Sequence, residues 1–124
     1  MKFTLMIKKK KAFKYILKNK NYVTKNNFSV YACIIRKKVD INFFAVCVSK
    51  KNGNSVQRNK LKRWAREAYK LEEDKLKKGY NILILYRKNA TVTNMNFNIV
   101  YNEIINCFKE LDLYENKKNI DTYM

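Results

Sequence analysis

Apolar residues recur along this chain in two different periods, and each period predicts a different kind of element. From Lys9 to Asn19, Ala12, Phe13, Ile16 and Leu17 fall at helical spacing among lysines, which predicts a short amphipathic helix with its apolar face on a sheet. From Phe28 to Arg36 the period shortens to two. Phe28, Val30, Ala32 and Ile34 then share one face, and Ser29, Tyr31, Cys33 and Ile35 the other, as in a strand. Ile41 to Lys50 and Asn81 to Tyr86 are further runs of the branched and aromatic residues that strands favour, with a turn expected over Lys37 to Asp40. Asn21 to Lys25 carries a fainter strand signal. Helical spacing returns from Asn54 to Leu71, and again from Asn96 to Leu113, where Phe97, Val100, Tyr101, Ile104, Ile105, Phe108 and Leu111 repeat at i, i+3 and i+4. Gly53 and Gly79 flank the first of these helices, where reversals of the chain need a permissive backbone. From about Glu115 the chain turns polar and is expected to fray. The pattern therefore predicts one domain over residues 1–114 with a polar tail over 115–124.

Charge changes that picture from a generic α+β domain to one with a polyanion as partner. The chain has 28 Lys and Arg against 10 Asp and Glu, a net +18, more than solubility requires. Residues 1–71 hold twenty basic and two acidic residues (Asp40 and Glu67), while residues 72–124 hold eight of each. A generally lysine-rich composition would not leave the last part neutral. The localised field attracts a polyanion by releasing its condensed counterions. A membrane is the other common polyanion, yet the longest unbroken apolar run, Phe43 to Val48, is too short to span a bilayer. The apolar start Met1 to Ile7 precedes Lys8 to Lys11, the reverse of a secretory signal, so a cytoplasmic location is expected. Histidine is absent, and the three cysteines, Cys33, Cys47 and Cys107, are widely spaced. That composition offers neither a zinc site nor the commonest general base, so the chain is not expected to supply hydrolytic chemistry itself. Glu72-Glu73-Asp74 is the one acidic cluster and reads as a solvated helix end rather than a metal site.

The candidate binding element is the basic helix from about Asn54 to Lys70. At about 100° per residue, Lys62, Arg66, Asn59, Lys70 and Arg63 follow Arg58 around the axis within an arc of about 140°, a continuous polar stripe. Leu61, Trp64, Ala65 and Ala68 form an apolar stripe centred elsewhere, and Lys60 sits off the polar stripe beside Glu67. The helix can thus dock on a core while presenting Arg58, Lys62, Arg63, Arg66 and Lys70 outward. A basic face is usually just a solvated one. Here, however, Lys-to-Glu pairing at i, i+4 is nearly absent, and three of the five arginines fall between Arg58 and Arg66. In a chain that otherwise uses lysine, arginine is expected where a planar donor must meet phosphate or a base edge. Gly53-Asn54-Ser55 supplies N-cap formers at the helix start, where a phosphate could bind, and Ser49, Lys50 and Lys51 extend the cationic surface.

The run Ser49-Lys50-Lys51-Asn52-Gly53-Asn54-Ser55-Val56-Gln57-Arg58-Asn59-Lys60-Leu61-Lys62-Arg63-Trp64-Ala65-Arg66-Glu67-Ala68 resembles the signature of the protein subunit of bacterial ribonuclease P. That family shows the pattern V-S-K-K-x-G-N-A-V-x-R-N-R-x-K-R-x-x-R-[EQ]. Order and spacing agree elsewhere: a helix with Phe13 and Leu17, a strand with Phe28 and Tyr31, and Gly79 before the β-run Ile82 to Leu85. Lys60 stands where arginine is usual, and Leu17 where some members carry a second aromatic. The resemblance implies a two-layer α+β sandwich in the order α-β-β-β-α-β-α, like that of some ribosomal proteins. Its four-stranded sheet would contain a left-handed β-α-β crossover through the basic helix, against the usual handedness. It implies further that a separate RNA subunit carries out the Mg²⁺-dependent hydrolysis removing the 5′ leader of precursor tRNA. The protein itself would bind no metal, act on its own as no nuclease and require no protein partner. Ser49, Lys50, Lys51, Asn54, Arg58, Asn59, Lys60, Lys62, Arg63, Arg66 and Lys70 would contact RNA. Phe13, Leu17 and Tyr31 would hold the single-stranded leader between the first helix and the sheet, although Phe13 could equally serve the core. The alternatives are a ribosome-associated RNA-binding protein of related fold and a self-sufficient nuclease.

Overall fold

The computed structural model describes residues 1–35 and 38–115. Eight elements follow one another: β1 (Thr4–Met6), α1 (Lys10–Lys18), β2 (Tyr22–Thr24), β3 (Phe28–Ile34), β4 (Asn42–Cys47), α2 (Ser55–Glu72), β5 (Tyr80–Tyr86) and α3 (Phe97–Glu110). The strands form one mixed sheet in the order β1-β4-β5-β3-β2. The expected sheet of four strands is therefore corrected to five. The added strand, β1, pairs parallel to β4 over three residues, a length at which no alternation can show in the sequence. The fainter signal around Tyr22 is a real edge strand, antiparallel to β3. The expected turn at Lys37 to Asp40 falls partly, and the polar tail beyond Glu115 wholly, outside the described residues.

β4 and β5 are parallel neighbours joined through α2, so the basic helix is the crossover of a β-α-β unit. One sheet face, with Phe28, Val30, Ala32, Phe44, Ile82 and Ile84, packs against Leu61, Trp64, Ala65, Ala68 and Tyr69 of α2 and Val100, Ile104 and Phe108 of α3. The apolar stripe read from periodicity is thus the buried face of α2, and each fully buried aliphatic side chain contributes about 1.5–3 kcal/mol. The opposite face holds a smaller cluster of Ile7, Ile16, Cys33, Ala45 and Leu83, covered by α1. Helices therefore lie on both sides of the sheet, and the two-layer expectation describes the larger core only.

The acidic cluster departs from its reading as a solvated helix end. Glu72 is buried and accepts hydrogen bonds from the Tyr101 and Tyr114 hydroxyls, both at 2.8 Å. Glu73 is buried too, accepting from the backbone N–H groups of Lys2 at 2.7 Å and Phe3 at 3.3 Å. Asp74 alone is exposed, paired with Lys2. Leu76 bridges to Tyr114, which brings that tyrosine over Glu72. The cluster thus anchors both ends of the described chain to the end of α2.

Candidate nucleic-acid interface

α2 begins where the chain leaves β4 through a single helical turn, Lys50–Asn52. Asn54 caps it: its side chain accepts from the Gln57 N–H at 2.9 Å, and the Gln57 side chain accepts from the Asn54 N–H at 2.9 Å. Gly53 has a φ of +129°, and a Cβ there would run into the Gln57 side chain, so this position admits glycine alone without strain. Arg58 folds back over this first turn, with Nε 3.4 Å from the Asn54 carbonyl oxygen and Nη2 3.3 Å from Ser55 Oγ. Asn54 is accordingly a cap first, and the helix start is partly occupied by Arg58.

Further along, the polar stripe is present as expected. Asn59, Arg63, Arg66 and Lys70 are exposed, with Lys62 and Arg58 half-buried beside them. Charge pairing at i, i+4 along this face, expected to be nearly absent, has one instance, with Arg63 Nε 3.9 Å from Glu67 Oε1. Exposed pairs of this kind contribute about 0.3–0.5 kcal/mol, too little to withhold Arg63 from a phosphate. Lys60 turns from the stripe and sets its Nζ 5.4 Å from the centre of the Trp64 ring rather than toward Glu67. Arg66 and Lys70 meet Leu5, Met6, Lys8 and Phe43 across an open groove of about 800 Å³ between α2 and the β1 edge. Ser49, Lys50 and Lys51 are exposed and continue the cationic surface toward β4.

The three proposed leader residues differ in burial. Phe13 and Tyr31 are half-buried and both pack on the cluster under α1, whereas Leu17, one turn after Phe13 on the same helix, is 44% exposed. Tyr31 has a neighbour that sequence reasoning missed. Tyr22, its register partner on β2, stacks on it with ring centres 5.0 Å apart and planes 25° apart. Tyr22 is 50% exposed, so the pair offers an open aromatic face at the sheet edge. Its only signal was the short run Asn21 to Lys25, too brief to fix which face each residue takes.

Asn52 was missed as well. It is buried, accepts from the Ser49 N–H at 2.8 Å, and donates to the carbonyl oxygens of Arg87 at 2.7 Å and Ala90 at 3.0 Å. Those bonds fasten the Ser49 to Gly53 segment to the end of β5. A second tether, the Tyr86 hydroxyl donating to the Leu61 carbonyl oxygen at 2.8 Å, fixes α2 on the sheet, and burial holds that phenol well above its ordinary pKa. Among the described residues no group of three His, Cys, Asp or Glu side chains could hold a metal ion. No helix among them is long and apolar enough to cross a membrane.

The sequence profile described as ribonuclease P matches residues 1–112. The chain belongs to the ribonuclease P protein family. A member from Clostridium botulinum strain 657, a ribonuclease P protein component, is 31% identical over 109 residues, covering 87% of this chain and 95% of the relative. The Staphylococcus aureus RNase P protein structure superposes with a TM-score of 0.78 at 31% identity, covering 89% of this chain and 97% of that one. The RNase P protein of Thermotoga maritima shares the fold, with a TM-score of 0.71 at 24% identity over 82% of this chain and 93% of its own. Family membership places the stripe on α2 and the aromatic sheet face within a protein of the ribonuclease P endoribonuclease.

Proposed function

We propose that this chain is the RNA-binding subunit of a ribonuclease P. In this reading it assists a catalytic RNA in removing the 5′ leader of precursor tRNA. The observation that carries this reading is α2, whose buried face is apolar from Leu61 to Tyr69 while Arg58, Lys62, Arg63, Arg66 and Lys70 follow one another along its outer side. A rigid row of cations suits the phosphates of a folded RNA. The second surface, the stacked Tyr22 and Tyr31 with Phe13 nearby, suits the bases of a single strand, where stacking contributes about 1–3 kcal/mol per base. The chemistry belongs to the RNA subunit and its Mg²⁺, and the protein acts by screening charge and positioning the leader. Such a role places it in the cytoplasm with its RNA partners.

The test is reconstitution. Purified protein mixed with a bacterial ribonuclease P RNA at low Mg²⁺ should restore 5′ maturation of precursor tRNA, and protein alone should cleave nothing. Cleavage by repurified RNA-free protein, or recovery of ribosomal RNA in place of a single RNA of the ribonuclease P type in a pull-down, would overturn the reading.

A further inference from the structure

β1 is one edge of the sheet, and its outer side is open. The Asn42 N–H donates to the Phe3 carbonyl oxygen and the Ile7 N–H to that of Phe44, both at 2.9 Å, so Phe3, Leu5 and Ile7 turn their backbone groups toward β4. Thr4 and Met6 alternate with them and direct theirs to the open edge, where the groove shared with α2 begins.

That groove combines two kinds of surface. Leu5 and Phe43 are register partners, and with Met6 they give it an apolar floor. Leu5 is 56% exposed and belongs to neither apolar cluster, so no role in the core accounts for it. Lys8, Arg66 and Lys70 stand around the floor, and no carboxylate lines it. Among the described residues none of these three cations is paired with a carboxylate.

The rim selects a polyanion, yet a phosphate would leave the apolar floor in water, and a duplex presents only its sugar and phosphate backbone to such a rim. An unpaired nucleotide presents a flat apolar face, a hydrogen-bonding edge and a phosphate on either side. Bases splayed out of a folded RNA are held in this way, by aromatic and guanidinium planes under the ring and polar groups at its edge. The groove also runs into Arg66 and Lys70, the last two cations of the α2 stripe, so its occupant belongs to the RNA bound there.

We propose that the groove between β1 and α2 receives one unpaired base of the RNA subunit. The base lies on Leu5 and Phe43, its edge meets the free backbone groups of Met6, and Lys8, Arg66 and Lys70 take the flanking phosphates. This rests on the RNA-subunit role proposed above, and it adds a pocket for a base to a surface of phosphate contacts.

The experiment measures assembly of the full-length protein with a ribonuclease P RNA across a salt series, using RNAs in which unpaired nucleotides are made abasic one at a time. Phe43→Leu should weaken assembly about tenfold, the scale of one stacked base, and Leu5→Ser, at an exposed position, about threefold. Neither removes charge, so the salt slope should hold, whereas Lys8→Ala should make it shallower by about 0.7, the value for one single-strand phosphate. One abasic position should reproduce the Phe43→Leu loss with unaltered protein and add nothing further in that variant. Because Phe43 also packs on the sheet, urea midpoints are compared, and Leu5→Ser should lose affinity at an unchanged midpoint. Losses that no single abasic position reproduces would assign the groove to RNA backbone and overturn the proposal. Loss of self-association in sedimentation, with RNA affinity intact, would give the edge to a second copy of the chain and overturn it equally. Weaker assembly for Arg66→Ala with none for Leu5→Ser and Phe43→Leu sinks this inference and spares the broader reading. Undiminished assembly in all of these variants sinks the two together.

Discussion

Asn52 satisfies its whole amide inside the protein, and its partners lie 35 or more residues away in sequence as well as next door. Removing it leaves two carbonyl oxygens and one N–H without their partner, of which the Ala90 carbonyl bond is fully buried and the other two partly so. Asn52→Ala should therefore destabilise the fold by at least about 2 kcal/mol, read as a lower urea midpoint, and should loosen Ser49 to Lys51 enough to weaken RNA assembly. An unchanged midpoint would show that these bonds are replaced by water. Lys60 is the opposite case. It leaves the RNA-facing stripe for the Trp64 ring, so Lys60→Arg should change affinity for the RNA subunit less than tenfold, within about 1.4 kcal/mol. A larger gain in a filter-binding titration would place position 60 on the stripe after all. Neither role is fully legible in the sequence: Lys60 can be placed off the stripe by angle alone, whereas the burial of Asn52 depends on β5 folding back beside it.

The elements that can be read from the sequence are those long enough to repeat their own period. α2 runs eighteen residues, so both its faces repeat several times, and periodicity assigns Leu61, Trp64, Ala65 and Ala68 to the core, where they lie. β1 and β2 span three residues each and owe their existence to partners supplied by distant parts of the chain. β1 is held in particular by Glu73, which takes the Lys2 and Phe3 N–H groups, and by Thr4, whose hydroxyl lies 2.7 Å from that of Tyr69. Burial pushes the Glu73 carboxyl up, but its hydrogen bonds outweigh that and leave it below the ordinary range; Glu72 behaves alike through Tyr114, Tyr101 and Lys75. A carboxyl whose pKa is lowered on folding contributes stability at pH values above its unfolded pKa, and that contribution is lost as pH falls through the folded value. Urea midpoints should thus hold from neutrality to about pH 5 and then decline below the unfolded carboxylate range near 4.3. Glu73→Gln and Glu72→Gln should each lower the neutral midpoint and flatten the decline. A decline as steep in the double variant as in the unaltered protein would assign acid sensitivity to other groups.

Across the whole molecule, charge and aromatic surface are separated in a way that lets the two proposed binding surfaces be measured apart. The cations of α2 lie over the larger core, while Tyr31 and Tyr22 lie on the opposite sheet face near α1. Arg63→Ala or Arg66→Ala removes a phosphate or base-edge donor without touching that face. Assembly with the RNA subunit should weaken, and the slope of log affinity against log salt should become shallower by about 0.9 for each duplex phosphate that the variant no longer neutralises. The weak pair with Glu67 predicts that Arg63 loses slightly less than Arg66 on this measure. Tyr31→Ala removes a stacking surface and no charge, so assembly and its salt slope should stay as they were. Affinity for precursor tRNA should fall by the order of one stacked base, about 1–3 kcal/mol, and mature tRNA, which has no leader, should bind unchanged. Tyr22→Ala should follow Tyr31→Ala in direction, because each ring holds the other in its stacking plane. The decisive measurement is a salt series of RNA subunit, precursor and mature tRNA binding for all four variants. If Tyr31→Ala weakens precursor and mature tRNA equally, or Arg66→Ala leaves assembly intact, the surfaces are not divided as their positions on the fold imply.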